Sequence, residues 1–140
     1  MYHGVKKIKF RQGQDSDQML IRKLTNNFFW HGKLKTSLKK ARVVKSLIEK
    51  LVEKIKNSSM ADRNYLKRKL ADNELIDLLI KEAAPVLKYK IGGYVRLVKL
   101  GTRMSDGSEM ARVEWVYPVV LNSKKKDLIV EDKKPVSKEK

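Results

Sequence analysis

Two histidines are the side chains in this sequence best suited to acid–base chemistry. His3 and His31 could in principle cleave RNA as a general acid and a general base, since imidazole titrates near neutral pH. Nothing in the sequence brings the two rings together, and no third residue is marked to orient either of them. A ribonuclease that uses His3 or His31 is therefore the weaker hypothesis, and we expect no enzymatic activity.

Metal and cofactor chemistry find even less support. The sequence contains no cysteine, and two isolated histidines match none of the usual zinc spacings. The pair Gly92-Gly93 lacks both the Walker spacing and the dinucleotide fingerprint. It is explained equally well as a bend before a strand and as a turn that lets amides or neighbouring side chains approach a phosphate. We expect no metal, no cofactor and no small-molecule substrate.

Basic and aromatic residues alternate around this glycine pair. Within twelve positions the sequence places Lys88, Tyr89, Lys90, Tyr94, Arg96 and Lys99. Lysine and arginine neutralise phosphates, and aromatic rings stack on unpaired bases. Tyr89 and Tyr94 are explained equally well as core residues with a solvated hydroxyl. The segment therefore favours contact with nucleic acid.

The distribution of charge supports a polyanionic partner. The chain has 33 Lys and Arg against 16 Asp and Glu, a formal net charge of +17, and an excess of this size predicts binding to a polyanion. Residues 1–45 hold 12 basic and 2 acidic side chains, whereas residues 46–87 hold 8 and 7. Residues 1–14 contain no acid, and we predict that they form a basic arm that binds RNA through counterion release.

Hydrophobic periodicity predicts the elements that position these residues. A helix capped by Asp15 or Ser16 stops at Gly32, and residues 33–35 could form a small strand. Three helices follow, one from Thr36 or Ser37 to about residue 56, one through residue 70, and one capped by Asp72. Residues 94–100 and 111–119 alternate as strands, joined by a turn with Asp-Gly chemistry. The prediction is an α+β, two-layer domain over residues 15–121, in the order α-β-α-α-α-β-β.

The longest predicted helix has two different polar halves. Its apolar positions are Leu38, Ala41, Val44, Leu47, Ile48, Leu51, Val52 and Ile55, a helical repeat. Its polar face opens with Lys39, Lys40, Arg42 and Lys45 and then alternates as Glu49, Lys50, Glu53 and Lys54. We predict that the first half meets a polyanion and the second half meets water.

The chain ends give expectations about location. No apolar run is long enough to span a membrane, and the N-terminus lacks the apolar block of a signal peptide. We therefore expect a cytoplasmic protein without a membrane partner. Residues 122–140 are predicted to be a lysine-rich tail, in which the apolar residues 128–130 either dock on a neighbouring protein or belong to a solvated segment.

Several runs of residues together resemble a known family. Residues 92–103 contain Gly-Gly-Tyr-x-Arg followed by Lys-x-Gly-x-Arg, and Met110-Ala111-x-Val113-Glu114 continues the pattern after Asp106. Upstream, residues 35–42 (Lys-Thr-Ser-Leu-Lys-Lys-Ala-Arg), His3 and Arg22-x-Leu24 also fit. Over roughly residues 1–117 the chain resembles the bacterial large-subunit ribosomal protein seventeen family. The resemblance implies a two-layer α/β fold, direct binding to large-subunit rRNA and a place near the exit-tunnel side of that subunit.

The leading hypothesis is therefore a structural protein of the large ribosomal subunit. Its expected partners are large-subunit rRNA and neighbouring large-subunit proteins. A DNA-binding, nucleoid-type protein is the alternative, but the basic helix offers mainly lysines, which suit phosphates rather than base edges. The predicted RNA contacts are His3, Lys6, Lys7, Lys9, Arg11, Arg22, Lys33, Lys35, Lys39, Lys40, Arg42, Lys88, Lys90, Tyr94, Arg96, Lys99 and Arg103.

Overall fold

The structure is a computed structural model that describes residue 10 and residues 13–121. Along the chain the elements are α1 (Gln14–His31), β1 (Lys33–Ser37), α2 (Leu38–Asn57), α3 (Met60–Leu70), α4 (Asn73–Leu78), a π-helical turn (Leu79–Ala83), α5 (Ala84–Leu87), β2 (Val95–Thr102) and β3 (Glu109–Trp115). Since α4, the π-helical turn and α5 follow one another without a break, the predicted α+β order is confirmed. The predicted tail lies outside the described residues, and so does the predicted arm except for positions 10, 13 and 14.

The three strands form one antiparallel sheet in the order β1-β3-β2. The last strand of the domain therefore lies in the centre and pairs with both others. Helix α2 packs against all three strands, and its apolar residues are buried against the inward-facing side chains Leu34, Val95, Ala111 and Val113. The helices thus cover one face of the sheet, which is the two-layer arrangement expected from the sequence.

An aromatic cluster joins α1 to the end of β3. The ring of Phe28 lies 4.9 Å from that of Trp115, and the ring of Phe29 lies 6.0 Å from it, measured between centroids. Both phenylalanines are buried. Because aromatic pairs at these distances add to the gain from burial alone, the cluster fixes the C-terminal end of α1 against the sheet.

Short polar side chains cap the starts of α3 and α4. The Asp62 backbone N–H donates to the Ser59 hydroxyl over 3.2 Å at the start of α3, and the Leu75 N–H donates to Asp72 Oδ1 over 3.1 Å at the start of α4. These are N-caps, and the Asp72 cap was predicted. The predicted cap of α1 is wrong. That helix begins at Gln14, after Gly13, so Asp15 lies inside its first turn, where a carboxylate favours the positive end of the helix dipole.

The π-helical turn ends two residues before Pro85. Proline has no backbone N–H and its ring crowds the preceding turn of an α-helix. The Ala84 N–H instead donates to the carbonyl of Leu79, five residues back, which widens the helix at this point. The stretch from α4 to α5 therefore passes the proline without ending.

The β2–β3 hairpin closes through the predicted turn. The Arg103 N–H donates to the Ser108 carbonyl over 2.9 Å, and the Ser108 N–H donates to Asp106 Oδ1 over 3.2 Å. Gly107 has φ +62°, a left-handed conformation that glycine adopts without strain. The strand β3 ends at Trp115, four residues before the predicted end at Val119. Within the described residues, no helix is both long and apolar enough to cross a membrane.

Candidate nucleic-acid interface

The face of the sheet turned away from the helices is basic. Inward-facing and outward-facing residues alternate along each strand, and the pairing of the strands places Lys33 and Arg96 on either side of Glu114, and Lys35 beside Arg112. We call Lys33, Lys35, Arg96, Arg112 and Glu114 the open sheet face. It holds four cationic side chains against one carboxylate, a balance that favours a polyanion.

The one carboxylate of the open sheet face is already paired. Arg96 Nε donates to Glu114 Oε1 over 2.6 Å, and Arg112 Nε lies 2.9 Å from Glu114 Oε2. The hydrogen bond from Arg96 lowers the pKa of the Glu114 carboxyl, so the group stays ionised. A guanidinium carries five N–H donors. Both arginines therefore keep donors for a phosphate while Glu114 holds their side chains in place.

The first turns of α2 extend this basic surface. The residues at positions 38, 41 and 44 are buried, which leaves Lys39 and Arg42 exposed and Lys40 half-buried. Helix α2 follows β1 directly, so these cations extend the row of basic residues that includes Lys35 in β1. The first turn of α2 contains no acid, and the unpaired amides at a helix N-terminus add a partial positive charge. This end of α2 is suited to bind phosphate, and the contact of its first half with a polyanion stays a prediction.

The second half of α2 corrects the prediction that it meets only water. The Glu49 carboxylate accepts a hydrogen bond from the Tyr94 N–H over 3.3 Å and another from the Val95 N–H over 3.1 Å. Gly92 and Gly93 have φ +71° and +63°, so the backbone turns sharply here before β2. Because Glu49 already accepts from the amides of residues 94 and 95, those amides are not free for a phosphate. The glycine pair forms a bend fixed to α2.

Tyr94 is also fixed to α2, and its predicted contact with RNA is wrong. The side chain is 0% exposed, so neither face of the ring is open to a base. Its hydroxyl donates to Glu53, and the Lys56 ammonium donates to the hydroxyl over 2.7 Å. The hydrogen bond to Tyr94 is the main reason why the pKa of Lys56 is raised, and the neighbouring charge of Glu53 raises it further. Tyr94 is the core residue with a polar hydroxyl that the sequence allowed as an alternative.

Comparison with known proteins connects this basic two-layer domain to a family. A family described as Ribosomal protein L17 matches residues 19–116. Proteins named large ribosomal subunit protein bL17 are 36% identical in Methylacidiphilum infernorum, over 82% of this chain and 88% of theirs, and 34% identical in Sulfurihydrogenibium sp., over 84% and 99%. This chain belongs to the ribosomal protein L17 family. The relative in Persephonella marina is 36% identical over 83% of this chain and 95% of its own.

The segment shared with the L17 family contains every predicted contact that the structure describes. Arg22 is one of them, and its guanidinium donates to the carbonyls of Lys69 and Arg68 over 3.2 Å each. These carbonyls belong to the last turn of α3, where backbone acceptors lack partners within the helix. Arg22 therefore joins α1 to α3, and only its remaining donors are available for RNA.

Arg103 is exposed but paired within the hairpin turn of this L17-family domain. Its guanidinium donates to both oxygens of Asp106. The hydrogen bond from Arg103 lowers the pKa of the Asp106 carboxyl, and the same pair raises the pKa of Arg103. Asp106 also accepts from the N–H and the hydroxyl of Ser108. The Arg103 charge is thus held at the hairpin tip, with its effect reduced by a neighbouring carboxylate.

The predicted cations before the bend and along β2 are exposed. Lys88, Lys90 and Lys99 are all accessible at the surface, and the Lys90 ammonium lies 4.9 Å from the centroid of the Tyr117 ring. Tyr89 is 85% exposed, which corrects the alternative that it lies in the core. The predicted contacts His3, Lys6, Lys7, Lys9 and Arg11 lie outside the described residues.

Sequence reasoning missed one arginine of the open sheet face and a group of basic residues on α3 in this L17-family chain. Arg112 lies on the open sheet face beside Lys35, and the alternation of buried Ala111 and Val113 around it was the signal that could have placed it there. Helix α3 exposes a second group, Arg63, Lys67, Arg68 and Lys69. Its small apolar face, Leu66 and Leu70, leaves the other positions to solvent, and this pattern is visible in the sequence.

Proposed function

We propose that this protein is a structural constituent of the large ribosomal subunit in the cytoplasm, where it binds and stabilises folded large-subunit rRNA in support of translation. Membership of the L17 family and the names of its relatives support the place in the large subunit. Its partners are large-subunit rRNA and neighbouring large-subunit proteins. The protein acts by neutralising phosphates where RNA segments converge, and it catalyses no reaction.

The observation that carries RNA binding is the continuity of the open sheet face with the start of α2. The open sheet face has four cations around one carboxylate that is itself paired. Lys39 and Arg42 then follow within two helical turns of β1. When these cations bind phosphates, counterions are released from the RNA. This release contributes affinity that does not depend on the RNA sequence.

A charge reversal at the start of α2 tests this assignment. We expect the triple variant Lys39→Glu, Lys40→Glu and Arg42→Glu to fold normally and to lose at least about tenfold in its incorporation into large subunits, since three cations become repulsive to phosphate. The measurement is sedimentation of a lysate on a sucrose gradient, with the protein quantified by mass spectrometry in the large-subunit fractions. Circular dichroism of the purified variant checks its fold.

A second triple variant supplies the matched control. Lys23 in α1, Lys50 in the second half of α2 and Lys81 in the π-helical turn are exposed, so changing these three residues to Glu alters the net charge by the same amount. We expect this control to sediment with the large subunit as the original protein does. Stoichiometric incorporation of the α2 variant, or equal loss from both variants, would contradict the proposed RNA surface. Absence of the original protein from the large-subunit fractions would contradict the ribosomal assignment itself.

A further inference from the structure

A cleft lies at the end of the sheet where α1, all three strands and the chain after β3 meet. Its walls include His31, Lys33, Arg96, Glu114, Trp115 and Tyr117. The volume is about 430 Å³, and the cleft is shallow and largely open to solvent. The cleft is open on one side, so part of a longer chain could enter it without being enclosed.

Cationic side chains of two different strands line this cleft. Lys33 on β1 and Arg96 on β2 both pair with Glu114 on the central strand β3. Two strand spacings separate their backbones, a distance of about 10 Å, which both long side chains can bridge towards one anion. Arg96 uses Nε for Glu114, and its other guanidinium donors suit a phosphate oxygen.

The remaining wall is aromatic and apolar. Trp115 and Tyr117 are partly buried against the core, and Pro118 and Val119 lie beside them. The Lys90 ammonium, 4.9 Å from the Tyr117 ring centroid, adds positive charge at this side. A planar ring that enters the cleft can therefore contact aromatic surface while an attached phosphate reaches Lys33 and Arg96.

We propose that this cleft binds one unpaired nucleotide of an RNA strand, with the base against Tyr117 and Trp115 and the phosphate at Lys33 and Arg96. The proposal rests on the RNA binding proposed above and adds the form of RNA recognised. A duplex keeps its bases stacked inside, so only a nucleotide in a loop, a bulge or a single strand presents both a free base and its phosphate. An acidic peptide would match the cations but would leave the aromatic wall without a planar partner.

Tryptophan fluorescence of the full-length protein tests the cleft. In a Trp30→Phe background, Trp115 is the only remaining indole, because the sequence has two tryptophans. We expect a single-stranded RNA decamer to quench its emission on binding, and an RNA duplex of ten base pairs to bind without quenching it. Polyglutamate of the same charge serves as the peptide probe. Equal quenching by polyglutamate would overturn the proposal in favour of a protein partner.

Two substitutions at Tyr117 separate stacking from folding. Tyr117→Leu keeps an apolar side chain without an aromatic face, whereas Tyr117→Phe keeps the face and removes only the hydroxyl. Stacking on an aromatic side chain is worth roughly 1–3 kcal/mol per base, or about 5-fold to 150-fold in affinity. We expect Tyr117→Leu to weaken binding of the single strand by at least about fivefold and to leave duplex binding unchanged, and Tyr117→Phe to bind both as before.

The outcomes distinguish this inference from the proposed function. If single strand and duplex both bind and Tyr117→Leu weakens neither, or weakens both equally, the nucleotide site is wrong and general RNA binding stands. If neither RNA binds the original protein, RNA binding by this chain is contradicted, and the nucleotide site with it.

Discussion

Removing the Glu49 carboxylate should destabilise the whole domain, although this glutamate lies on the polar side of α2. In the Glu49→Ala variant the N–H groups of Tyr94 and Val95 lose their acceptor at the point where β2 begins. Hydrogen bonds to a charged group contribute about 1.5–3 kcal/mol each. One of these is long, at 3.3 Å, and water can reach part of the site, so we expect a total loss of about 2–4 kcal/mol in the free energy of unfolding.

The loss can be measured by urea denaturation of the full chain, followed by far-ultraviolet circular dichroism. For a domain of this size, 2–4 kcal/mol corresponds to a fall of about 8–16 °C in melting temperature. Glu49→Gln keeps one acceptor oxygen and should lose about half as much. Asp77→Ala is the matched control, because it removes one exposed negative charge from α4. A Glu49→Ala variant that loses no more stability than Asp77→Ala would refute the role assigned to this carboxylate.

Two further substitutions test buried polar contacts. Tyr94→Phe removes the hydroxyl that joins Glu53 and Lys56, and urea denaturation should show a loss of about 1–2 kcal/mol; an unchanged midpoint would mean that these bonds add nothing to stability. Asp62→Asn removes a carboxylate whose pKa is lowered mainly by the hydrogen bond from the Ser59 hydroxyl and then by Lys54. The carboxylate therefore stabilises the fold at pH values above its ordinary pKa of 3.8, and this stabilisation is lost as the pH falls below that value. Thermal melts should show the variant less stable at pH 7 and the difference shrinking below pH 3.8, and a constant difference at all pH values would contradict this cause.

The parts of the fold that sequence analysis predicted depend on neighbours close in the chain. Asp72 as a cap, Gly32 as a helix stop and the Asp106-Gly107 turn each act within four residues, so their spacing alone indicates the structure. The long amphipathic repeat of α2 likewise predicted its seven buried residues, while the eighth predicted position, Leu47, is partly buried.

The parts that were missed depend on partners far along the chain. Glu49 has the spacing of a solvent-facing helix residue, and nothing near it indicates that its acceptors are the amides of residues 94 and 95. The central position of β3 in the sheet could not be predicted from the sequence either, because hydrophobic alternation predicts strands but not their order in a sheet. Arg112 was therefore not grouped with Lys35, although the two are paired across the sheet.

The order of the strands determines when the open sheet face can form during synthesis of the chain. Lys33 pairs with Glu114, about eighty positions later, and contacts so distant in sequence form late because a long loop must first be closed. While the chain is still growing, β1 and β2 lack the strand that lies between them. The open sheet face and its cleft then do not exist, whereas the cations of α2 already do. A nascent chain thus carries the cations of the proposed RNA surface before it has the cleft, and only a finished domain offers both.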